Sequence, residues 1–281
     1  MLEKQQKMSN EVKGFYLYGV CSALKLERSR EDIEMIEGID SAEKAFFAPY
    51  KDIRAVVSEV SLEEFGSEEI ERKAKEDLQW IKDKASRHDE VIKAAIKIDG
   101  DSLAIIPMKF GTIFKTKKNL ADSLEKNYLR FKELFETLKG REEWSMKIYL
   151  KLRLLENGIK KTSVVIKEKS KELCSMPAGR TYFLEKEIDE MAAAEAKKSV
   201  SGYISVFLEK IKLLAEEAKE NKILEKEITQ KSEPMIFNGA FLVKKEKVDE
   251  FQKEIQKLRA EYEKIGFVFE LSGPWPPYNF V

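Results

Sequence analysis

Residues 144–152 alternate without a break: Trp144, Met146, Ile148, Leu150 and Leu152 on one side, Ser145, Lys147, Tyr149 and Lys151 on the other. A period of two is a strand with one face on a core and the other toward water. It excludes an all-helical chain and calls for a sheet with a wet face, the usual condition of antiparallel pairing. The flanks supply its neighbours. Residues 103–108 (LAIIPM) read as a strand edged or ended by Pro107. Residues 118–139 read as a helix with Leu120, Leu124, Tyr128, Phe131, Phe135 and Leu138 on one face and Gly140 at its stop. Downstream, 235–244 holds the buried-strand run Ala240-Phe241-Leu242-Val243, 247–265 a helix, and 267–271 a closing strand. Strand, helix, strand, strand, helix, strand is the split β-α-β, ferredoxin-like order.

The stretch between 153 and 231 interrupts that order. Residues 154–173 are charged and loosely helical, 174–179 form a turn around Pro177 and Gly179, and 181–229 carry a long helical pattern. Its seam runs Val200, Ile204, Phe207, Ile211, Leu214, Ala218, in steps of four and three. The stretch therefore reads as an inserted helical hairpin. Upstream, 15–22, 44–50 and 52–60 read as strands, and 67–98 as one helix. That helix places Ile70, Ala74, Leu78, Ile81, Ala85, His88, Ile92 and Ala95 on one face, and 99–101 stop it. The expected fold class is α+β with two domains. Residues 1–13 are a flexible tail and 14–100 a small N-terminal α+β domain. Residues 101–271 are a ferredoxin-like domain with a helical hairpin at about 153–231, and 272–281 a tail of prolines and aromatics.

Composition narrows the function classes. The chain has 51 basic and 51 acidic residues, so its net charge is zero. Charged residues make up 36% of it, against roughly 25% in an average soluble protein. Balance argues against nucleic acid as the main partner, and 43% hydrophobic content argues for a buried core. No stretch approaches the roughly 18 apolar residues a membrane span needs, so no lipid membrane is expected. Cys21 and Cys174 read as thiols of a reducing cytoplasm rather than as a disulfide framework.

The chemical inventory is thin. His88 is the sole histidine; on an apolar helix face it reads as a packed residue with one hydrogen bond, ahead of a catalytic base in a pocket. No His or Cys pair lies at metal-ligand spacing, and no cofactor is expected. Phe110-Gly111-Thr112 at a strand exit reads as a turn needing positive φ, and Arg180 as a helix-start residue. Trp275, Tyr278 and Phe280, interleaved with three prolines, either fold back on the body or dock on a partner, and fold-back is favoured.

These motifs, taken in order, resemble the gas vesicle GvpL/GvpF family. The resemblance rests on Tyr16-Leu17-Tyr18-Gly19, on Ala55-Val56-Val57-Ser58, and on Trp80 and His88 in one helix. It rests further on Pro107-Met108-Lys109-Phe110-Gly111-Thr112, on Gly140 with Glu143-Trp144, on Gly179-Arg180-Thr181-Tyr182, on Ala240-Phe241-Leu242-Val243, and on Gly273-Pro274-Trp275-Pro276-Pro277-Tyr278. Lys109 stands where that family usually has arginine. The resemblance implies a non-enzymatic accessory or minor structural protein that binds the hydrophobic shell protein and assists nucleation and assembly of the vesicle. It implies the shell protein and other accessory gas vesicle proteins as partners, a monomer when free, and a place at the gas vesicle within the cytoplasm. Phe110, Gly111, Arg180, Tyr182, Trp275, Tyr278 and Phe280 are its partner-binding or fold-defining candidates. The rival readings are a scaffold that self-associates through the Val200–Ala218 seam and an enzyme with a pocket around His88.

Overall fold

The computed structural model describes residues 12–22, 33–98, 104–173 and 177–281. The expectations for residues 1–11, for the helix stop at 99–101, for the strand start at 103, and for Cys174 with the turn at 174–176 lie outside them. The fold is α+β with two sheets. The chain divides into two compact units, Met1–Arg141 together with Pro276–Val281, and Glu142–Trp275.

In the first unit, β1 (Lys13–Ser22), β2 (Phe46–Tyr50), β3 (Ile53–Ser61) and β4 (Ile105–Pro107) form a sheet in the order β2-β3-β1-β4, and β5 (Ile113–Phe114) also pairs with β1. β1 runs antiparallel to β3 from Lys13↔Ser61 to Ser22↔Ile53, with an irregularity between Leu17 and Gly19. Its other edge receives β4 opposite Gly19–Cys21 and β5 opposite Phe15 and Tyr16. A strand paired on both edges and packed on both faces can be apolar throughout, and residues 16–21 are all buried. Gly19 has a specific cause: a Cβ there would lie 2.9 Å from the Ile106 carbonyl oxygen of β4.

Helices packed with this sheet include α1 (Leu62–Phe65), α2 (Ser67–Glu76), α3 (Leu78–Ile98) and α4 (Lys117–Leu138). The periodicity of 67–98 continues through a break it does not register. Asp77 leaves the helical region at φ −137°, ψ 75°, and its Oδ1 accepts the Trp80 N–H at 3.0 Å. It thereby caps the start of α3. Thr116 caps α4 by accepting the Asn119 N–H at 3.1 Å. The division between units falls after Arg141, not near Gly100. The physical reason is pairing: β4 and β5 complete the edge of β1, and α4 packs on β1, β4 and β5.

The second unit holds β6 (Arg141–Leu150), β7 (Glu217–Glu220), β8 (Met235–Lys244) and β9 (Phe267–Trp275), in the order β7-β8-β6-β9. Its helices are α5 (Leu152–Thr162), α6 (Val164–Leu173), α7 (Ala178–Lys212), α8 (Lys226–Thr229) and α9 (Val248–Tyr262). Over 144–148 β6 alternates as its sequence demands, with Trp144, Met146 and Ile148 buried and Ser145 and Lys147 less so, but Tyr149, read as facing water, is buried beside Leu150. Leu152 leaves the strand to open α5 and is exposed.

Three readings change here. The strand Ile105–Pro107 belongs to the first unit's sheet and not to this one. The helix expected over 181–229 stops at Lys212, and Glu217–Glu220 pair antiparallel with Leu242–Gly239 as an edge strand. A short, charged edge strand has no apolar alternation to announce it. The stretch 154–173 is two helices, parted at Ser163 where the backbone turns extended. In the seam Val200, Ile204, Phe207, Ile211, Leu214, Ala218, Phe207 and Ile211 are wholly buried in the unit's own core and the other four pack against it partly buried.

Candidate functional site

β1 sends alternate residues Tyr16 and Tyr18 to the face against which α3 packs Val91, Ile92 and Ala95. One turn earlier on α3, His88 enters the same layer with 2% of its surface exposed. Its Nδ1 lies 2.9 Å from the Tyr16 hydroxyl. That hydroxyl already accepts the Gly111 N–H at 3.0 Å, so its own hydrogen is assigned to the imidazole, which is then the Nε2–H tautomer. Nε2 has no partner of hydrogen-bond geometry. Burial pushes the His88 pKa down to about 4, against the pull of Asp89 and of the Met108 backbone. The ring is neutral at pH 7.

The two tyrosines are also held. The Tyr18 hydroxyl pairs with Ser58 Oγ at 2.8 Å and accepts the Ile39 N–H at 2.6 Å. Burial pushes its pKa up to about 12 and that of Tyr16 well above the usual phenol range. Both stay protonated.

Residues 276–281 close this cluster. The Tyr278 ring lies 6.2 Å from His88 at 30°, and its hydroxyl donates to Asp89 Oδ1 at 2.7 Å. Phe110 meets His88 and Tyr16 edge-on at 6.2 and 6.4 Å. Phe280 is buried. Gly111 sits at φ +82°, a backbone region that favours glycine, and this aims its N–H at Tyr16.

Of the sequence candidates, Phe110, Gly111 and Tyr278 come together here, with His88 at the centre. Trp275 ends β9 in the second unit, half-exposed, its indole N–H donating to Ser272 Oγ at 3.1 Å. Arg180 and Tyr182 lie at the start of α7 in that unit, both exposed.

Around Tyr182 the second unit presents a different surface. Tyr182 is 67% exposed, and Phe183, 71% exposed, meets it edge-on at 5.8 Å. Elsewhere on the unit, α6 exposes Val164 and Val165, both above 60%. The inward face of α7 is used by Leu184, Ile188, Ala192 and Ala196, so Tyr182 and Phe183 fall off it by helical geometry. Sequence reasoning passed over Phe183, Val164 and Val165. The available signal was a pair of aromatics one and two residues before the Leu184 row.

A surface groove of about 720 Å³ lies at the start of α2, lined in part by Leu62, Glu69, Arg72 and Lys115. Its arginine is already held by Glu69 and Glu76. Among the described residues no group of three His, Cys, Asp or Glu is placed to hold a metal ion, and no helix is long and apolar enough to cross a membrane.

The chain matches the family described as gas vesicle synthesis protein GvpL/GvpF over residues 14–281. It is 23% identical to gas vesicle protein F1 of Halobacterium salinarum over 267 residues, covering 95% of this chain and 92% of that one. It is 24% identical to gas vesicle protein L of a Streptomyces species over 230 residues, covering 82% and 80%. Its fold is similar to the crystal structure of the gas vesicle protein GvpF from Anabaena, with a TM-score of 0.66 at 19% identity and 95% of each chain covered.

Proposed function

The chain belongs to the GvpL/GvpF family of gas vesicle synthesis proteins, and from that premise we propose that it binds the hydrophobic shell protein and assists nucleation and assembly of the shell. It does so without catalysing a reaction. The observation that carries this reading is the exposed aromatic pair Tyr182 and Phe183 on α7. Exposed aromatic side chains beside one another are costly in water unless something covers them. Before assembly, a shell subunit exposes apolar surface of its own. A carrier with 36% charged residues stays in solution while its apolar side chains shield that surface.

The unit that bears this surface is assigned a modified ferredoxin-like fold. The order β7-β8-β6-β9 supports it, with α5–α7 between β6 and β7 and α9 between β8 and β9. The free protein is taken as a monomer, acting at the gas vesicle within the cytoplasm beside other accessory gas vesicle proteins.

Capture of the shell protein tests the reading. Wild-type chain immobilised on resin is expected to retain it, and the double variant Tyr182→Ser, Phe183→Ser to lose most of that retention. No retention by the wild type sinks the proposal. Equal retention by both moves the contact off α7.

A further inference from the structure

We propose that residues Pro276–Val281 form a latch on the N-terminal unit that opens when His88 takes up a proton. The argument starts from the walls around the imidazole. Tyr16 and Tyr18 belong to the doubly paired strand β1, and Val91 and Ile92 to the same helix as His88. Residues 276–281 contribute no strand to either sheet. They are shaped by a single turn in which the Tyr278 N–H donates to the Pro276 carbonyl at 2.7 Å and the Phe280 N–H to the Pro277 carbonyl at 3.1 Å. Of the walls, this segment is the one that can leave without breaking a sheet.

Protonation turns the bonding of the cluster against itself. The neutral ring accepts the Tyr16 hydroxyl at Nδ1; the imidazolium carries donors on both nitrogens. Tyr16 would then face two donors, His88 and Gly111, while its own hydrogen lost its acceptor. A buried cation needs water or an anion. The adjacent carboxylate is Asp89, which is engaged by the Tyr278 hydroxyl. Turning Asp89 to the imidazolium, or admitting water past the Tyr278 ring, undoes the same contact.

The other groups facing the ring do not provide an alternative charge. β1 presents the phenols Tyr16 and Tyr18. α3 presents Asp89 and, beyond it, Arg87, which with Asp40 acts on Tyr18. The loop after β4 presents exposed Lys109, and the latch itself presents Tyr278.

The direction of the effect follows. The closed form holds the His88 pKa at about 4, and a hydrated imidazole titrates near 6.5. The latch is therefore shut above pH 6.5. Its opening constant rises by up to about tenfold for each pH unit between 6.5 and 4.

His88 is the sole histidine, so one imidazole resonance reports on it in the wild-type chain. The companion measurement is amide exchange at Tyr278 and Phe280, corrected for the intrinsic pH dependence of exchange. We expect these two amides to lose protection as pH falls below 6.5, before the amides of β1 do. In His88→Gln, whose amide oxygen still accepts from Tyr16 but takes no proton, protection should be flat over that range. Tyr278→Phe, which loosens the latch in the full chain, should raise the His88 pKa toward 6.5. Loss of protection in His88→Gln in step with the wild type would overturn the proposal and make Asp89 the trigger. So would simultaneous loss across β1, or a titrating His88 beside an unmoved latch. If His88→Gln does not fold, the wild-type and Tyr278→Phe titrations decide alone, because the imidazole and amide midpoints must coincide and move together.

Discussion

Each of the two units has an apolar core of its own, and the two are held in different ways. The N-terminal core runs its hydroxyls and its imidazole through the middle: Tyr16, Tyr18, Ser58 and His88 are at most 2% exposed and bonded to one another or to backbone. The fully buried members of the C-terminal core are aliphatic or aromatic and carry neither hydroxyl nor imidazole. Phe207 meets Tyr262, Phe269 and Phe267 at 4.7, 5.1 and 5.2 Å. The first core depends on matching each donor to an acceptor. The second depends on area and shape. The contrast assigns sensitivity to protons to one unit and sensitivity to volume and charge to the other.

The largest expected effect comes from placing a charge in the second core. Phe207→Glu sets a carboxylate in a ring of aromatics with nothing to pair it, and should cost more than about 4 kcal/mol. Near-UV circular dichroism and urea titration would read this as loss of fixed aromatic packing. Wild-type stability in that variant would break the comparison. A smaller effect sharpens it. Tyr16→Phe leaves the Gly111 N–H and His88 Nδ1 unmatched, and we predict a loss of about 1–3 kcal/mol in urea denaturation at pH 7. Tyr203→Phe, the corresponding change at the edge of the second core, should stay within about 0.5 kcal/mol. Equal costs at the two sites would mean that the cores are not differently built. The smallest effect belongs to the surface. Tyr182→Ser with Phe183→Ser should leave stability within about 0.5 kcal/mol while changing what the chain retains on resin.

How much of this was legible depended on how far apart the partners lie in sequence. The alternation of 144–148 and the Leu120, Leu124, Phe131, Phe135 and Leu138 face of α4 are local, and the structure buries them as read. The break at Asp77 was hidden because Ala74, Leu78 and Ile81 keep helical spacing across it. The division near residue 100 failed because Ile105–Pro107 could join either sheet, and pairing of Pro107 with Gly19, across most of the unit, decided it. β7 was invisible for the same reason: Glu-Ala-Lys-Glu becomes a strand only because β8 lies beside it. At the cluster, Phe110, Gly111 and Tyr278 could each be picked out as unusual. Nothing in the sequence brings residues 16, 88 and 278 to one point.

The return of Pro276–Val281 to the first unit bears on how the protein is made. Residues 1–141 leave the ribosome first, yet the pieces that fill the places of Tyr278 and Phe280 follow only after the whole of the second unit. Domains generally fold in the order of their synthesis. Here the earlier one must wait, with His88 uncovered by the Tyr278 ring during translation of everything between. The N-terminal unit therefore reaches its final form only when residues 276–281 have been added.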